Sequence, residues 1–297
     1  MSKPESNYPM PGQLISTDSV AMHFHSAGTG APTVVMEAAI GDFSLTWSLV
    51  HPQVRQFTRA FSYDRAGLGW SEVSPRPRTG EVMVAELRRL LDEAGGPKPI
   101  ILVGHSFSGM LARLFAYRYP QEVAGLALLV PAHEDQFQRF PEPIRELFAP
   151  LRDGQIAMLQ QNTEIIRSQG PDKATPIVMP PPAFPADIAA TYAAQSIADP
   201  SRVETMIAEL RDLETTQEQV RKLRPAGLGD IPVTVISHGQ PQDVPGMPAE
   251  VNQAYEAAWQ EIQVRSPACP PAGADHRSRK RAHDPPPAAR IGGPRDS

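Results

Sequence analysis

The sequence predicts an α/β fold, a mostly parallel sheet with helices on both faces and an all-helical insertion. Two observations predict it. Between about residues 13 and 130, short apolar β-branched runs alternate with segments of helical periodicity, the pattern that builds a parallel sheet. Between about 133 and 229 no strand-like run occurs, after which one more strand and one more helix follow.

The elements follow in order. Gln13–Ser16 and Val20–His25 suggest a hairpin around Asp18-Ser19. Pro32–Ala38, Thr58–Asp64, Pro99–Gly104 and Val123–Val130 are short apolar runs of the kind expected for strands buried on both faces. In Thr79–Gly96, Val82, Val84, Leu87, Leu90 and Leu91 approximate one helical face, and Gly95-Gly96 ends the helix. Within the insertion, Asp199–Leu223 predicts one long helix: Asp199 caps it, Pro200 occupies the first turn, and Val203, Ile207, Leu210 and Leu213 form a stripe. Ile231–Ser237 resumes the sheet, and Pro248–Gln263 is an amphipathic helix with Val251, Tyr255, Ala258 and Ile262 on one face. The expected organisation is a first core part over 1–132, a helical lid over 133–229, a second core part over 230–265 and a tail over 266–297.

Composition narrows the function classes. The 297 residues are 41% hydrophobic and 21% charged, which is globular rather than disordered. A net charge of −5 gives no reason to expect nucleic acid or an anionic membrane as partner. The single cysteine, Cys269, allows no intrachain disulfide and no multi-cysteine metal site. The first residues lack the basic-then-apolar layout of a signal peptide, and no apolar run approaches the ~18 residues of a membrane span. A soluble cytoplasmic protein is the expectation.

The stretch that carries chemistry is Leu102–Leu111, "LVGHSFSGML". Gly104-His105-Ser106-Phe107-Ser108-Gly109 reads as a G-x-S-x-G pattern in which Ser108 stands at the last position and Gly109 follows it, between a strand and a helix, where a tight turn needs small neighbours and presents the serine. Together with "SYDRAGLGWSE" and "VAGLALLVPAHEDQ", this block resembles the α/β-hydrolase superfamily over about residues 12–263. The resemblance implies a nucleophilic Ser106 and one oxyanion donor in the Phe107 backbone N–H. It implies a second at Ile40, placed by the distance of "EAAIGDFSLTW" to Trp47. The reaction implied is acyl transfer to water on an ester-like small molecule, with no metal and no organic cofactor. A serine at this position disfavours epoxide hydrolase or haloalkane dehalogenase chemistry, for which the family uses aspartate. Asp64 and Arg65 are expected to brace their loop against the serine turn.

The partners of Ser106 are less evident. In the superfamily the acid follows the strand after the lid, which points to Asp243; Val130 stands where some relatives carry an aspartate. Glu134 and Asp135 are held as reserves, expected to be solvated charges at the lid hinge. The resemblance calls for a histidine after a final strand, and no such segment exists. Of the eight histidines, His238 lies at the correct sheet edge and His283 in the tail, so these two are the candidates for a displaced base. The tail, Ser266–Ser297, has seven prolines and among large aliphatic and aromatic residues only Ile291, a composition that predicts disorder. Its codons read one base later permit Leu-Ile-Ile, then Gly-His-Met-Ile, then Gln-Gln-Pro-Glu-Leu-Val-Val. That order matches the family's last strand, histidine and helix, so a frameshift near codons 264–270 is the expectation beside a genuine proline- and arginine-rich tail. The competing function is a non-catalytic binding protein on the same scaffold.

Overall fold

The computed structural model describes residues 10–17, 20–224 and 228–264. Its strands and helices, in chain order, are β1 (Gln13–Ser16), β2 (Ala21–Ala27), β3 (Thr33–Glu37), α1 (His51–Val54), β4 (Ala60–Tyr63), α2 (Gly80–Glu93), β5 (Ile100–His105), α3 (Ser108–Arg118) and β6 (Val123–Leu129). The insertion supplies α4 (Gln136–Arg139), α5 (Glu142–Gln169), α6 (Ala186–Ser196), α7 (Pro200–Arg211) and α8 (Leu213–Leu223), and β7 (Val233–Ile236) and α9 (Ala249–Val264) follow. The expected tail, with His283, lies outside the described residues.

The seven strands form one sheet in the order β1-β2-β4-β3-β5-β6-β7. The β1–β2 and β2–β4 pairs are antiparallel, and β4, β3, β5, β6 and β7 run parallel. One face is filled by Val35, Leu102, Leu126 and Leu128 from the strands against Leu87, Leu90 and Leu91 of α2 and Met110, Leu111, Leu114 and Phe115 of α3. Each such side chain withdrawn from water contributes about 1.5–3 kcal/mol. The other face gathers Val34, Met36, Ala60 and Trp47, with Ile101, Val103 and Leu129 only partly covered.

The insertion has its own apolar cluster: Leu159 and Ile166 of α5 pack against Val203, Met206, Ile207 and Leu210 of α7. Ile40 packs against both this cluster and the sheet core, so the insertion sits over the loop that follows β3. The long helix expected over Asp199–Leu223 is two helices. Asp212 leaves helical geometry at φ −86, ψ 4 and turns its carboxylate to the Arg78 N–H at 2.8 Å. The break carries Leu213 from the insertion cluster to the sheet core, which is why one continuous stripe did not mark one continuous helix. Asp199 does cap α7, accepting from Ser201 N–H at 2.8 Å.

Candidate active site

Ser106 stands between β5 and α3 with φ +53, a left-handed conformation that a residue with a side chain enters only under constraint. The constraint is visible on both sides. Its N–H donates to the Leu129 carbonyl at 3.0 Å, and its carbonyl accepts from Gly109 N–H at 2.9 Å and Ala132 N–H at 2.8 Å. Gly104 before the serine and Gly109 three residues after it are both required by space. A Cβ on Gly104 would stand 2.4 Å from the Ser108 carbonyl oxygen, and one on Gly109 2.4 Å from Pro131 Cβ. The half-buried serine therefore sits at the N-terminal end of an eleven-residue helix, where unpaired N–H groups favour developing negative charge.

The loop after β3 comes to this helix start. Ser108 Oγ donates to the Ala38 carbonyl, which also accepts from Arg65 Nη1 at 2.8 Å, and Arg65 Nη2 donates to the Ala39 carbonyl at 2.7 Å. Arg65 is thus the brace expected of it. Asp64 works one layer below: it is fully buried, pairs with His23 at 2.9 Å and accepts from the Ser44 and Trp70 N–H groups. Burial alone would raise the Asp64 carboxyl, but the His23 charge and these donors hold it below the usual range. Among the described residues neither Phe107 N–H nor Ile40 N–H donates to another backbone carbonyl or to a side chain.

The expected acid and base do not meet. Asp243 is exposed and lines an open cavity of about 600 Å³ with Met247, Asn252 and Glu256, and Ser106 is not among the residues around it. His238 lies just beyond β7, half-buried, with Nε2 at 3.0 Å from Glu256 Oε2 and its ring stacked 5.9 Å from Trp259. Its acidic partner among the described residues is therefore Glu256, a residue the sequence reading passed over. The only signal for it was its place beside Tyr255 and Trp259 on the amphipathic helix α9. Among the described residues no imidazole hydrogen-bonds Ser106 Oγ.

Glu134 and Asp135 are not the solvated hinge charges expected. Glu134 is fully buried and pairs with Arg113 at 2.7 Å and Arg224 at 2.8 Å, while Asp135 takes Arg221 at 2.8 Å and Arg224 at 2.5 Å. Burial opposes ionisation of Glu134, but Arg113 and His133 hold its carboxyl below the ordinary value. The cluster ties the start of the insertion to its last helix. His133, Glu134 and Asp135 also bring metal-ligand atoms within 4.8 Å of one another, but three guanidinium groups already satisfy the carboxylates, so this donor set does not fit a cation.

The strand order, the serine turn after the middle strand and the helical insertion between β6 and β7 together decide the architecture. The chain has the α/β-hydrolase fold. The family model described as alpha/beta hydrolase fold matches residues 46–167. YqjL, an uncharacterized protein of Bacillus subtilis strain 168, is 34% identical over 132 residues, 43% of this chain and 52% of that protein. The 2-hydroxy-6-oxo-2,4-heptadienoate hydrolase of Pseudomonas putida strain F1 is 28% identical over 121 residues, 40% of this chain and 44% of that one. The chain thus spans about half or less of the length of the curated relatives it matches here. Among solved structures, a candidate epoxide hydrolase of Pseudomonas aeruginosa superposes with TM-score 0.63 at 15% identity, covering 82% of this chain and 84% of its own. A carboxylesterase structure from the thaumarchaeon Nitrososphaera gargenis gives TM-score 0.56 at 17% identity, with 86% and 87% covered. At these identities the superpositions show a shared fold and no more.

Proposed function

We propose that the chain is a serine hydrolase that cleaves an ester-like small molecule through an acyl-enzyme on Ser106. The observation that carries this reading is the constrained conformation of Ser106 on the β5–α3 turn, with φ +53 and both its peptide groups pinned. In the scheme, Ser106 Oγ attacks the carbonyl carbon and its proton passes to a base. The oxyanion accepts from the Phe107 and Ile40 N–H groups, which have no protein acceptor among the described residues. The C–O bond to the leaving group then breaks and the proton goes to the departing alkoxide. Water repeats the sequence, releasing the acid and restoring Ser106. One such donor is worth about 10²- to 10³-fold in rate. A hydrolase among the curated relatives supports water as acceptor. The scheme uses no metal and no organic cofactor.

Asp243 is the acid the superfamily pattern assigns, and His238 and His283 are the candidate bases. A fluorophosphonate probe tests the reading: stoichiometric labelling that vanishes in Ser106→Ala supports it. Labelling that then falls in His238→Ala places the base beyond β7, and loss in His283→Ala places it in the tail. The pairing of His238 with Glu256 favours a second reading, a non-catalytic binding protein on the same fold. Failure of the folded chain to label at Ser106 selects that reading.

A further inference from the structure

The loop after β3 is held from two directions, and one of them is the insertion. From the sheet side, Arg65 takes the Ala38 and Ala39 carbonyls at 2.8 and 2.7 Å. From above, Glu209 of α7 reaches the same place: its Oε2 accepts the Gly41 N–H at 2.7 Å and Arg65 Nη2 at 3.0 Å, and its Oε1 accepts Arg65 Nε at 2.6 Å. The peptide groups on either side of Ile40 are therefore both anchored, one on Arg65 and one on Glu209, with the two anchors joined in a bidentate pair. Glu209 is wholly buried, so no water substitutes for either partner. Gly41 has φ +67, and a Cβ there would stand 2.6 Å from Met206 of the same helix. A second insertion contact lies one residue on, where Tyr192 Oη donates to Asp42 Oδ1 at 2.7 Å.

We infer that Glu209 is a positioning residue: the carboxylate carried by the insertion sets the loop that presents the Ile40 N–H, so the oxyanion site is complete only while the insertion is seated. The inference rests on the reading of Ser106 as nucleophile. It follows from the contacts because lifting α7 would at once remove the acceptor of Gly41 N–H and leave the Arg65 charge buried without its counter-ion.

The test is saturation kinetics of fluorophosphonate labelling on the full chain, with melting temperature alongside. Glu209→Gln keeps size but removes the charge that orders Arg65. The maximal labelling rate should fall about tenfold or more, with the half-saturating probe concentration within about threefold and the fold intact. Should that variant not fold, the charge-balanced double variant Arg65→Met with Glu209→Met removes both anchors without a buried unpaired charge and should show the same loss. An unchanged maximal rate in a folded variant, or a loss confined to the half-saturating concentration, overturns the inference. If the unmodified chain takes no label, the nucleophile reading fails by itself, and hydrogen exchange decides the positioning role. In the double variant, exchange at Gly41 about tenfold faster with β3 amides unchanged supports it, and unchanged exchange at Gly41 overturns it.

Discussion

Glu37 closes β3 with its carboxyl wholly buried: Tyr63 Oη donates to Oε1 at 2.6 Å, and Oε2 meets no hydrogen-bond partner among the described residues. Burial pushes the carboxyl up to about 7, against the pull of Arg65. The folded chain therefore keeps a proton between 4.5 and about 7 that the unfolded chain has released. Stability from this group is complete below the unfolded value and is lost as pH rises through the folded one, on the order of 3 kcal/mol. His25 acts in the opposite sense. Burial, and then the charge of His51, lower it to about 4, so the unfolded chain takes the proton first and stability rises with pH between about 4 and 6.5. Denaturant titrations of Glu37→Gln against the unmodified chain isolate the first effect: the stability difference should shift in favour of the glutamine variant from about pH 5 to about pH 8. A pH-independent difference would show that Glu37 does not titrate there. Residues such as Ser106, Asp64 and Arg65 were legible because each sits in a short motif whose local geometry needs it. Glu209 was not, since its partner Arg65 is 144 positions away and no periodicity encodes that pairing. The burial of Glu134 was hidden in the same way, because its charge is balanced by Arg113 and Arg224 on other elements.

Elements were legible where a single stretch carried both pattern and stops. The hairpin signal and the short apolar runs place the seven strands of the described residues to within two or three residues, and Thr79–Gly96 places α2. Where an element depends on its neighbours the sequence was silent. Nothing marked the break at Asp212, and α5 runs on through Pro150, whose exposed position leaves the Glu146 carbonyl to water. The start of α2 shows such dependence: Thr79 makes no side-chain cap, and the first amides are met from α8, Thr216 Oγ1 accepting Gly80 N–H and Gln219 Oε1 accepting Glu81 N–H, both at 2.9 Å. Thr216 is fully buried, so Thr216→Val leaves the Gly80 N–H without an acceptor and should lower unfolding free energy by about 1–2 kcal/mol. An equal denaturation midpoint would show that water or a shift of α8 replaces the hydroxyl. At the end of β6, Val130 holds φ +44, although β-branched residues avoid that region. Its N–H donates to the Ile236 carbonyl at 2.7 Å, and the next turn clamps Ser106, so the sheet imposes the strain. Val130→Asn, better suited to a left-handed backbone, should raise stability by about 1 kcal/mol in the same titration.

At the scale of the molecule, the two sides of the sheet are unequally covered. The α2 and α3 face is sealed, whereas on the other face Ile101 and Val103 of β5 and Leu129 of β6 are only partly buried. The imbalance grows toward β7, the last strand of the sheet among the described residues. There Leu129 pairs with Ile236, and Ile236 is 53% exposed. An edge strand with open backbone groups and an exposed branched aliphatic side chain is the arrangement that invites pairing with another copy. Two features oppose it: β7 is only four residues long, and α9 begins thirteen residues later with its aromatic cluster of Tyr255 and Trp259 packed on Phe140. A short edge pairs weakly, so association should be reversible and concentration-dependent rather than fibrillar. Ile236→Lys places a charge on that edge while removing little buried surface. Sedimentation velocity across a tenfold or wider range of concentration should show the unmodified chain shifting to larger species and the lysine variant remaining at one size, with melting temperatures close together. If both chains sediment as a single small species at every concentration, the β7 edge is protected in solution and the half-covered face plays no part in association.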